Sequence, residues 1–227
     1  MADAERTLLL VPTVGERSKL LEHLDSLAQP NRNWLCELCG FGLVAAAAAT
    51  MRSIQIHRPD RVLLAGIAGG LSDSAAVGSA HWFQSVICDG IGVGEGDALL
   101  SASSLGWQQW PGTDEKSAEP IGDQLNLVSP AQGNRPSSPA KTLVSVCAAS
   151  SDAAMAIRRR RLGGSPPADA VIAEDMEAFG VALACQMSST PCMVVRGISN
   201  IAGDRDHSKW QIDLAIQAVA KRLAELN

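Results

Sequence analysis

Apolar runs of strand length alternate with segments of helical spacing along most of the chain. Short apolar runs bounded by Pro, Gly, Asn and Asp predict buried strands within residues 7–12, 33–42, 61–70, 81–90, 141–150 and 191–200. Apolar residues three and four positions apart predict helices over about residues 16–27, 43–54, 175–187 and 212–226. Strands separated by helices are typical of an α/β fold. We therefore expect a single-domain three-layer αβα sandwich around a central mixed, largely parallel twisted sheet.

Residues 111–139 break this pattern, because they are rich in Pro, Gly, Ser and Asn. Such a segment is typical of an irregular excursion from a fold rather than of a domain boundary. The sequence also has no internal repeat. We therefore expect one domain over residues 1–227.

Composition and charge narrow the class of protein. Hydrophobic residues make up 46% of the chain, charged residues 19%, and the formal net charge is -5, which suits a protein with a substantial core. The basic run at residues 158–161 is interpreted as the solvated end of a helix, so no nucleic-acid partner is expected. The start of the chain is too short and too acidic for a signal peptide, and no apolar run approaches bilayer length. These features predict a cytoplasmic protein without a membrane partner.

The six cysteines include one C-x-x-C pair, Cys36 and Cys39. A zinc site of this kind needs a second pair or nearby histidines, and the nearest histidine, His57, stands alone. The pair also lies within a predicted strand, whereas a redox pair usually opens a helix. We interpret these cysteines as buried reduced thiols and expect no metal.

Polar and small residues follow several of the predicted strands. Arg196 stands inside the last apolar run, and Asn200 follows four residues later. A buried guanidinium is costly unless it meets an acid, and a buried amide also needs partners. Because ligands of such folds bind at the carboxyl ends of the strands, these residues predict a polar site at that edge. Further candidates at the same edge are Glu16, Ala68 and Gly69 in GIAGG, Ala149, Ser150 and the acids of residues 174–177.

Each of these candidates also has a purely structural interpretation. Glu16 and the acids of residues 174–177 favour helix N-termini through the helix dipole. GIAGG is also typical of a turn, and Arg196 of a structural ion pair. The combination of carboxylates, a guanidinium, an amide and a Gly-rich segment at one sheet edge favours a binding site.

The segments that carry these candidates resemble a known family. EDMEAFGVA followed by VVRGISN resembles the EMEA…VVRxISD signature of the nucleoside phosphorylase and nucleosidase superfamily. GFGLVAAAAA and RPDRVLLAGIAGGLSDSAAVGS resemble its GxGxVxAA and PDxxxxxGxAGGL…VGD blocks. The resemblance spans nearly the whole chain and is weak from about residue 92 to 140. The tail, ISNIAGDRDHSKW, is similar to the ISNxVGxRDxxxW pattern of the futalosine hydrolases.

The resemblance implies that a purine is cleaved from ribose through a transition state with oxocarbenium character. Glu16 matches the carboxylate that orients and activates the attacking water, and Glu177 matches the acid that grips the ribose hydroxyls. Arg196 matches an arginine beside the water-activating glutamate, so Glu16 is the acid that we expect Arg196 to meet. The remaining implied substrate contacts are Ala68, Gly69, Ala149, Ser150, Asp175, Met176, Ser199, Arg205 and Trp210.

Asn200 stands where the adenine-specific nucleosidases have aspartate. Hypoxanthine offers acceptors at both O6 and N7, and an amide donates to either without repulsion. Futalosine carries hypoxanthine, and it also carries a benzoate-like carboxylate on the 5′ side of its sugar. Arg205, His207 and Lys209 are the cations expected near that carboxylate. Trp210 either forms a wall of the pocket or anchors the last helix.

The activity that the resemblance implies is hydrolysis of futalosine to hypoxanthine and dehypoxanthine futalosine, in menaquinone biosynthesis. The implied partners are a small-molecule nucleoside and water as the nucleophile, with no cofactor. Relatives in this superfamily are commonly dimers or larger, so a homodimer or a higher homo-oligomer is expected.

Other activities fit parts of the same pattern. Within the superfamily, the alternatives are a methylthioadenosine/adenosylhomocysteine nucleosidase and a purine nucleoside phosphorylase, for which Arg17 is the nearest phosphate-binding cation. Gly40–Ala45 satisfies G-x-G-x-x-A between a strand and a helix, with Asp60 further on, as in NAD-binding Rossmann enzymes. A catalytically silent nucleoside-binding protein is a further alternative.

Overall fold

The structure is a computed structural model that describes residues 5–27, 34–112, 119–130, 139–162 and 164–226. The strands are β1 (Thr7–Val11), β2 (Trp34–Leu38), β3 (Arg61–Gly70), β4 (Ala80–Phe83), β5 (Ser85–Asp89), β6 (Gly92–Val93), β7 (Leu100–Ser101), β8 (Gln124–Asn126), β9 (Lys141–Val146), β10 (Val171–Asp175) and β11 (Cys192–Ile201). The α-helices are α1 (Val14–Ser26), α2 (Leu43–His57), α3 (Ala153–Arg160), α4 (Ala178–Met187) and α5 (Ile212–Ala224).

Nine of these strands form one mixed sheet in the order β2-β1-β3-β10-β9-β5-β8, and β11 branches from β3 and pairs with β4. The pairs β1–β2, β1–β3, β3–β11, β9–β10 and β5–β9 are parallel. The pairs β3–β10, β4–β11 and β5–β8 are antiparallel. The predicted mixed, largely parallel sheet is therefore confirmed.

Helices cover both faces of the sheet. One face packs against α1 and α5 around Leu20, Ile216 and Val219, and the other packs against α2 and α4 around Ala46 and Phe179. All five residues of β1 are buried because β2 and β3 flank it and both faces are covered, which explains its unbroken apolar run. The three-layer αβα arrangement is confirmed.

The structure differs from the predicted elements in several places. The strand predicted over residues 81–90 is two strands, β4 beside β11 and β5 beside β9. The third predicted helix begins at Ala178 rather than at Asp175, because the preceding acids end strand β10. GIAGG is the end of β3 and not a separate turn. Residues 119–130, in the segment predicted to be irregular, contain the short strand β8, whereas residues 113–118 and 131–138 of that segment lie outside the described residues. Across the described ranges, no helix is both long and apolar enough to cross a bilayer.

Candidate active site

A cavity of about 430 Å³ opens at the carboxyl ends of the central strands. This volume is within the range of small-molecule sites. Eleven residues of the sequence prediction line it: Glu16, Ala68, Gly69, Ala149, Asp175, Met176, Glu177, Ser199, Asn200, Arg205 and Trp210. Glu174, one of the candidate acids of residues 174–177, lines it as well. The remaining lining residues were not among the candidates: Pro12, Thr13, Gly15, Lys19, Phe41, Ile67, Val146 and Ile212.

Glu16 is held at the cavity by the start of helix α1. Thr13 is the N-cap, and its hydroxyl oxygen accepts a hydrogen bond from the Glu16 N–H at 3.2 Å and donates to Glu16 Oε2 at 2.7 Å. The Ile67 N–H at the end of β3 donates to Oε1 at 3.0 Å. The carboxylate is buried and fixed on both oxygens. An acid that only interacts with the helix dipole would not need these hydrogen bonds, so they favour a functional role for Glu16.

Arg196 is fully buried, and the acids that it meets are Asp175 and Glu177. Its Nε and Nη2 donate to Asp175 Oδ2 at 3.0 and 2.6 Å, and Nη2 also donates to Glu177 Oε2 at 3.1 Å. The expectation that Glu16 is the direct partner of Arg196 is therefore wrong. Burial alone would lower the pKa of the guanidinium, but the carboxylates of Asp175, Glu177 and Glu16 together raise it.

Gly66 makes room for two of these groups. A Cβ atom at this position would lie 2.2 Å from Arg196 Nη1 and 2.8 Å from Glu16 Oε1. Within the described part of the chain, Nη1 is buried and has no hydrogen-bond partner. Glu16 and Arg196 therefore both approach the same point above Gly66, and any side chain there would displace them.

Asp175 and Glu177 differ in how much of each carboxylate the protein itself uses. Asp175 accepts hydrogen bonds from Arg196, from the Ser145 hydroxyl and from the Ala178 N–H, and its side chain is fully buried. These bonds give Asp175 a supporting role for Arg196, and the substrate contact that the resemblance implies for this cavity-lining residue stays a prediction. Glu177 accepts from the Gly42 N–H at 3.1 Å and from Arg196, and burial raises its pKa to about 7 against the opposing effect of Arg196.

Asn200 follows a bulge in β11. The β3–β11 register shifts between Ile198 and Asn200, so that Asn200 lies opposite Gly69. Such bulges re-aim side chains near functional sites. The Ser199 hydroxyl donates to Asn200 Oδ1 at 2.8 Å, and Asn200 Nδ2 donates to the Ile201 carbonyl at 3.1 Å. Because an amide nitrogen carries two hydrogens, one N–H of Asn200 remains for a ligand.

A second buried ion-pair network holds Glu174, which lines the cavity. Arg159 donates to Asp89 Oδ2 at 2.9 Å, to Glu174 Oε2 at 3.0 Å and to the Ala148 carbonyl at 2.8 Å. The interpretation of the basic run as solvated is therefore wrong for Arg159, whose side chain is 7% exposed. Ser150 donates its N–H and its hydroxyl to Glu174, so Ser150 lies behind the wall and not in contact with the cavity.

The mouth of the cavity contains Arg205 and Trp210. The Arg205 guanidinium lies 5.4 Å from the Trp210 ring centroid, and the His207 ring stacks on the same indole at 4.4 Å. Trp210 lines the cavity, which favours its interpretation as a wall. Lys209 instead donates to Asp204 at 3.2 Å, and neither Lys209 nor His207 is among the lining residues. The other cation that lines the cavity, besides Arg205, is Lys19, among the described residues.

The cysteine pair Cys36 and Cys39 lies close to this site, but its thiols are unreactive. Cys39 is buried and Cys36 is half-buried, and both are free thiols. Burial raises the pKa of the Cys39 thiol to about 12 and also raises that of Cys36. A thiol with such a pKa is protonated and unreactive at neutral pH.

The G-x-G-x-x-A segment, Gly40–Ala45, donates a hydrogen bond to a carboxylate of the protein rather than presenting free amides to a ligand. A dinucleotide would place its pyrophosphate on the N-terminal amides of the following helix. Here the Gly42 N–H at the start of α2 donates to the Glu177 carboxylate. An anion in the same place would meet a carboxylate, so the geometry opposes the NAD-binding alternative.

Comparison with known proteins agrees with this geometry. The family model described as the phosphorylase superfamily matches residues 31–226. The chain belongs to the phosphorylase superfamily. A curated relative, futalosine hydrolase of Streptomyces coelicolor, is 30% identical over 198 residues, which cover 85% of this chain and 78% of the relative. The 5′-methylthioadenosine/S-adenosylhomocysteine nucleosidase of Bacillus subtilis is 27% identical over 187 residues, covering 79% of this chain and 73% of the relative.

Solved structures of a futalosine hydrolase and of a 5′-methylthioadenosine/S-adenosylhomocysteine nucleosidase superpose over almost the full chain. Native futalosine hydrolase of Helicobacter pylori has a TM-score of 0.69 at 17% identity and covers 97% of this chain and 96% of its own. The nucleosidase of Neisseria meningitidis in complex with methylthio-immucillin-A has a TM-score of 0.68 at 16% identity, with 97% of both chains covered. At these identities, the likeness shows the fold alone.

The family model begins after strand β1 and helix α1, so it does not include Glu16. The placement of Glu16 rests instead on its hydrogen bonds to Thr13 and Ile67. Arg17, the phosphate-binding candidate of a phosphorylase, is not among the residues that line the cavity. The described site of this phosphorylase-superfamily member thus lacks that cation.

Proposed function

We propose that this protein hydrolyses the N-glycosidic bond of futalosine, a step of menaquinone biosynthesis, and releases hypoxanthine and dehypoxanthine futalosine. The observation that carries the proposal is the pairing of an amide, Asn200, with two buried carboxylates, Glu16 and Glu177, around one cavity. The 30% identity to the Streptomyces coelicolor futalosine hydrolase supports the same assignment.

The proposed reaction breaks the bond between the anomeric carbon and the purine nitrogen. The bond's electron pair leaves with the base, and the sugar acquires oxocarbenium character. Glu177, which is close to Arg196 and exposed to the cavity, accepts hydrogen bonds from ribose hydroxyls and stabilises the developing cation. Glu16 orients the attacking water and receives its proton as the new C–O bond forms. The departed purine anion takes up a proton from solvent to give hypoxanthine, and Glu16 returns its proton to solvent, so that one water molecule is consumed overall. Fixed carboxylates favour this cation-like transition state over the neutral ground state.

Asn200 is proposed to select the base. Its remaining amide N–H donates to O6 or N7 of hypoxanthine as negative charge develops on the leaving purine. The Ser199 hydroxyl holds Oδ1 and thereby fixes which end of the amide the ligand meets. An adenine amino group would present a donor to a donor at the same place.

We infer further that the protein acts in the cytoplasm as a homo-oligomer. The described cysteines are all free thiols, as expected in a reducing compartment. Phe41, which lines the cavity, and Val44 are 66% and 85% exposed, and a second copy of the chain is the proposed cover for such apolar side chains. Light scattering on the purified protein measures the oligomeric state.

The experiment that tests the activity is incubation with futalosine, inosine and methylthioadenosine, with and without phosphate. Chromatography of the released base gives the turnover of each substrate. We expect hypoxanthine release from futalosine to be the fastest reaction, independent of phosphate and unaffected by a metal chelator. Phosphate-dependent turnover would assign a phosphorylase instead, and preference for methylthioadenosine would assign the alternative nucleosidase.

The pH profile tests Glu177 separately. Because its pKa is raised to about 7, Glu177 is protonated below that pH and cannot accept hydrogen bonds on both oxygens. We expect kcat/KM to rise about tenfold per pH unit below neutrality and to level off above it. Initial rates at low substrate concentration between about pH 5 and pH 9 measure this profile. A flat profile over that range would contradict a role for the ionised carboxylate.

A further inference from the structure

The cavity carries charges of both signs, in different places. Four carboxylate residues line it, and two of these, Glu174 and Asp175, are neutralised by buried arginines. Among the described residues that line the cavity, the cations are Lys19 and Arg205. Both are partly exposed, and both lie outside the buried carboxylate and arginine clusters.

Lys19 is held in place by two helices. It lies one helical turn beyond Glu16 on α1, and its Nζ donates to Asp213 Oδ1 on α5 at 3.3 Å. The His23 Nε2 lies 3.2 Å from the same Asp213 oxygen. Because Lys19 is 45% exposed and Nζ carries three hydrogens, its ammonium retains donors for a ligand.

Arg205 is held differently, by its position over the Trp210 ring. A cation–π contact of this kind orients the guanidinium but does not use its N–H groups as hydrogen-bond donors. Trp210, Phe41 and Ile212 give the cavity lining large apolar side chains. Two cations and these apolar side chains in one cavity suit an anion carried on a flat apolar group.

We propose that Lys19 and Arg205 bind the carboxylate on the aromatic 5′ substituent of the substrate and so select acidic nucleosides. This inference rests on the proposed function, because futalosine is the substrate that carries such a group. It replaces His207 and Lys209, the cations expected beside Arg205 from the sequence, with a residue from the opposite end of the chain. The carboxylate accepts hydrogen bonds from both cations while the sugar lies over Glu16 and Glu177.

The test compares futalosine with its carboxyl methyl ester, which removes the negative charge and adds one methyl group. The variants are Lys19→Gln and Arg205→Gln, and the matched control is Lys209→Gln. Lys209 is a more exposed lysine of the same loop as Arg205, and its ammonium bonds to Asp204. The measured quantity is the ratio of kcat/KM for futalosine to kcat/KM for the ester.

We expect each of the two variants to lower this ratio about three- to tenfold, mainly through KM, because partly exposed ion pairs have modest energies. The wild-type KM for futalosine is expected to rise with salt, and that for the ester is not. Lys209→Gln is expected to keep the wild-type ratio. A ratio that stays within twofold in both variants would overturn the inference while leaving the proposed function intact.

Two other outcomes distinguish a failure of this inference from a failure of the proposed futalosine hydrolysis. If wild-type protein cleaves inosine or methylthioadenosine but not futalosine, the proposed function fails, and the carboxylate assignment fails with it. If phosphate accelerates the wild type and Lys19→Gln abolishes that acceleration, Lys19 is a phosphate ligand and the assignment to the substrate carboxylate is overturned.

Discussion

Replacing Glu16 by glutamine is expected to lower kcat by about two to four orders of magnitude, the usual effect of losing an acid–base group. The amide cannot take the proton of the attacking water. It does keep an oxygen that accepts from the Ile67 N–H, so the helix start and the cavity should survive. Single-turnover rates on futalosine measure the chemical step, and thermal unfolding of the variant checks the fold.

The matched control for this change is Glu22→Gln. Glu22 lies on the same helix, is exposed, and does not line the cavity. It should retain wild-type turnover. If Glu16→Gln also turned over normally, Glu16 would be a residue of the helix start and not of the reaction.

Replacing Asn200 by aspartate is expected to lower the preference for futalosine over aminofutalosine, its 6-amino analogue, about tenfold or more. The reason is that one buried unsatisfied group costs about 1–3 kcal/mol. A carboxylate faces the O6 and N7 acceptors of hypoxanthine without a hydrogen to donate. It does accept from the amino group of the 6-amino analogue. The ratio of kcat/KM for the two substrates measures the effect.

Two further variants give this prediction its controls. Asn126→Asp makes the same chemical change on β8, at an exposed residue outside the cavity lining, and should leave the ratio at its wild-type value. Asn200→Ala should lower turnover of both substrates, because nothing then donates to the leaving purine. An unchanged ratio in Asn200→Asp would mean that Asn200 does not contact the base.

The sheet and most of the cavity lining could be predicted from the local pattern of apolar and polar residues in the sequence. Strands buried on both faces, such as β1, must be apolar throughout, and this signal is visible in any short window of sequence. The site then followed because the carboxyl ends of β3, β10 and β11 meet in the sheet. Twelve of the candidate residues, Glu174 included, line the cavity for this reason.

The partners of the buried charges did not follow from local pattern. Arg196 meets Asp175 and Glu177 because β10 ends beside β3, whereas the sequence suggested a helix already running at those acids. Arg159 was interpreted as solvated because it belongs to a run of four arginines at a helix end. Its partners, Asp89 and Glu174, come from two other strands. Such pairs depend on which strands are neighbours in space, and no spacing along one element encodes that.

The carboxylates around Arg196 influence which molecule attacks the sugar. Three carboxylates, from Glu16, Asp175 and Glu177, surround the single guanidinium of Arg196. When Glu177 is ionised, this cluster is an anionic surface in a poorly screened interior. It repels a phosphate dianion approaching the anomeric carbon but leaves an uncharged water molecule unaffected. The same charges that stabilise a cationic sugar thereby act as a filter on its attacker, and we expect hydrolysis to outcompete phosphorolysis for that reason.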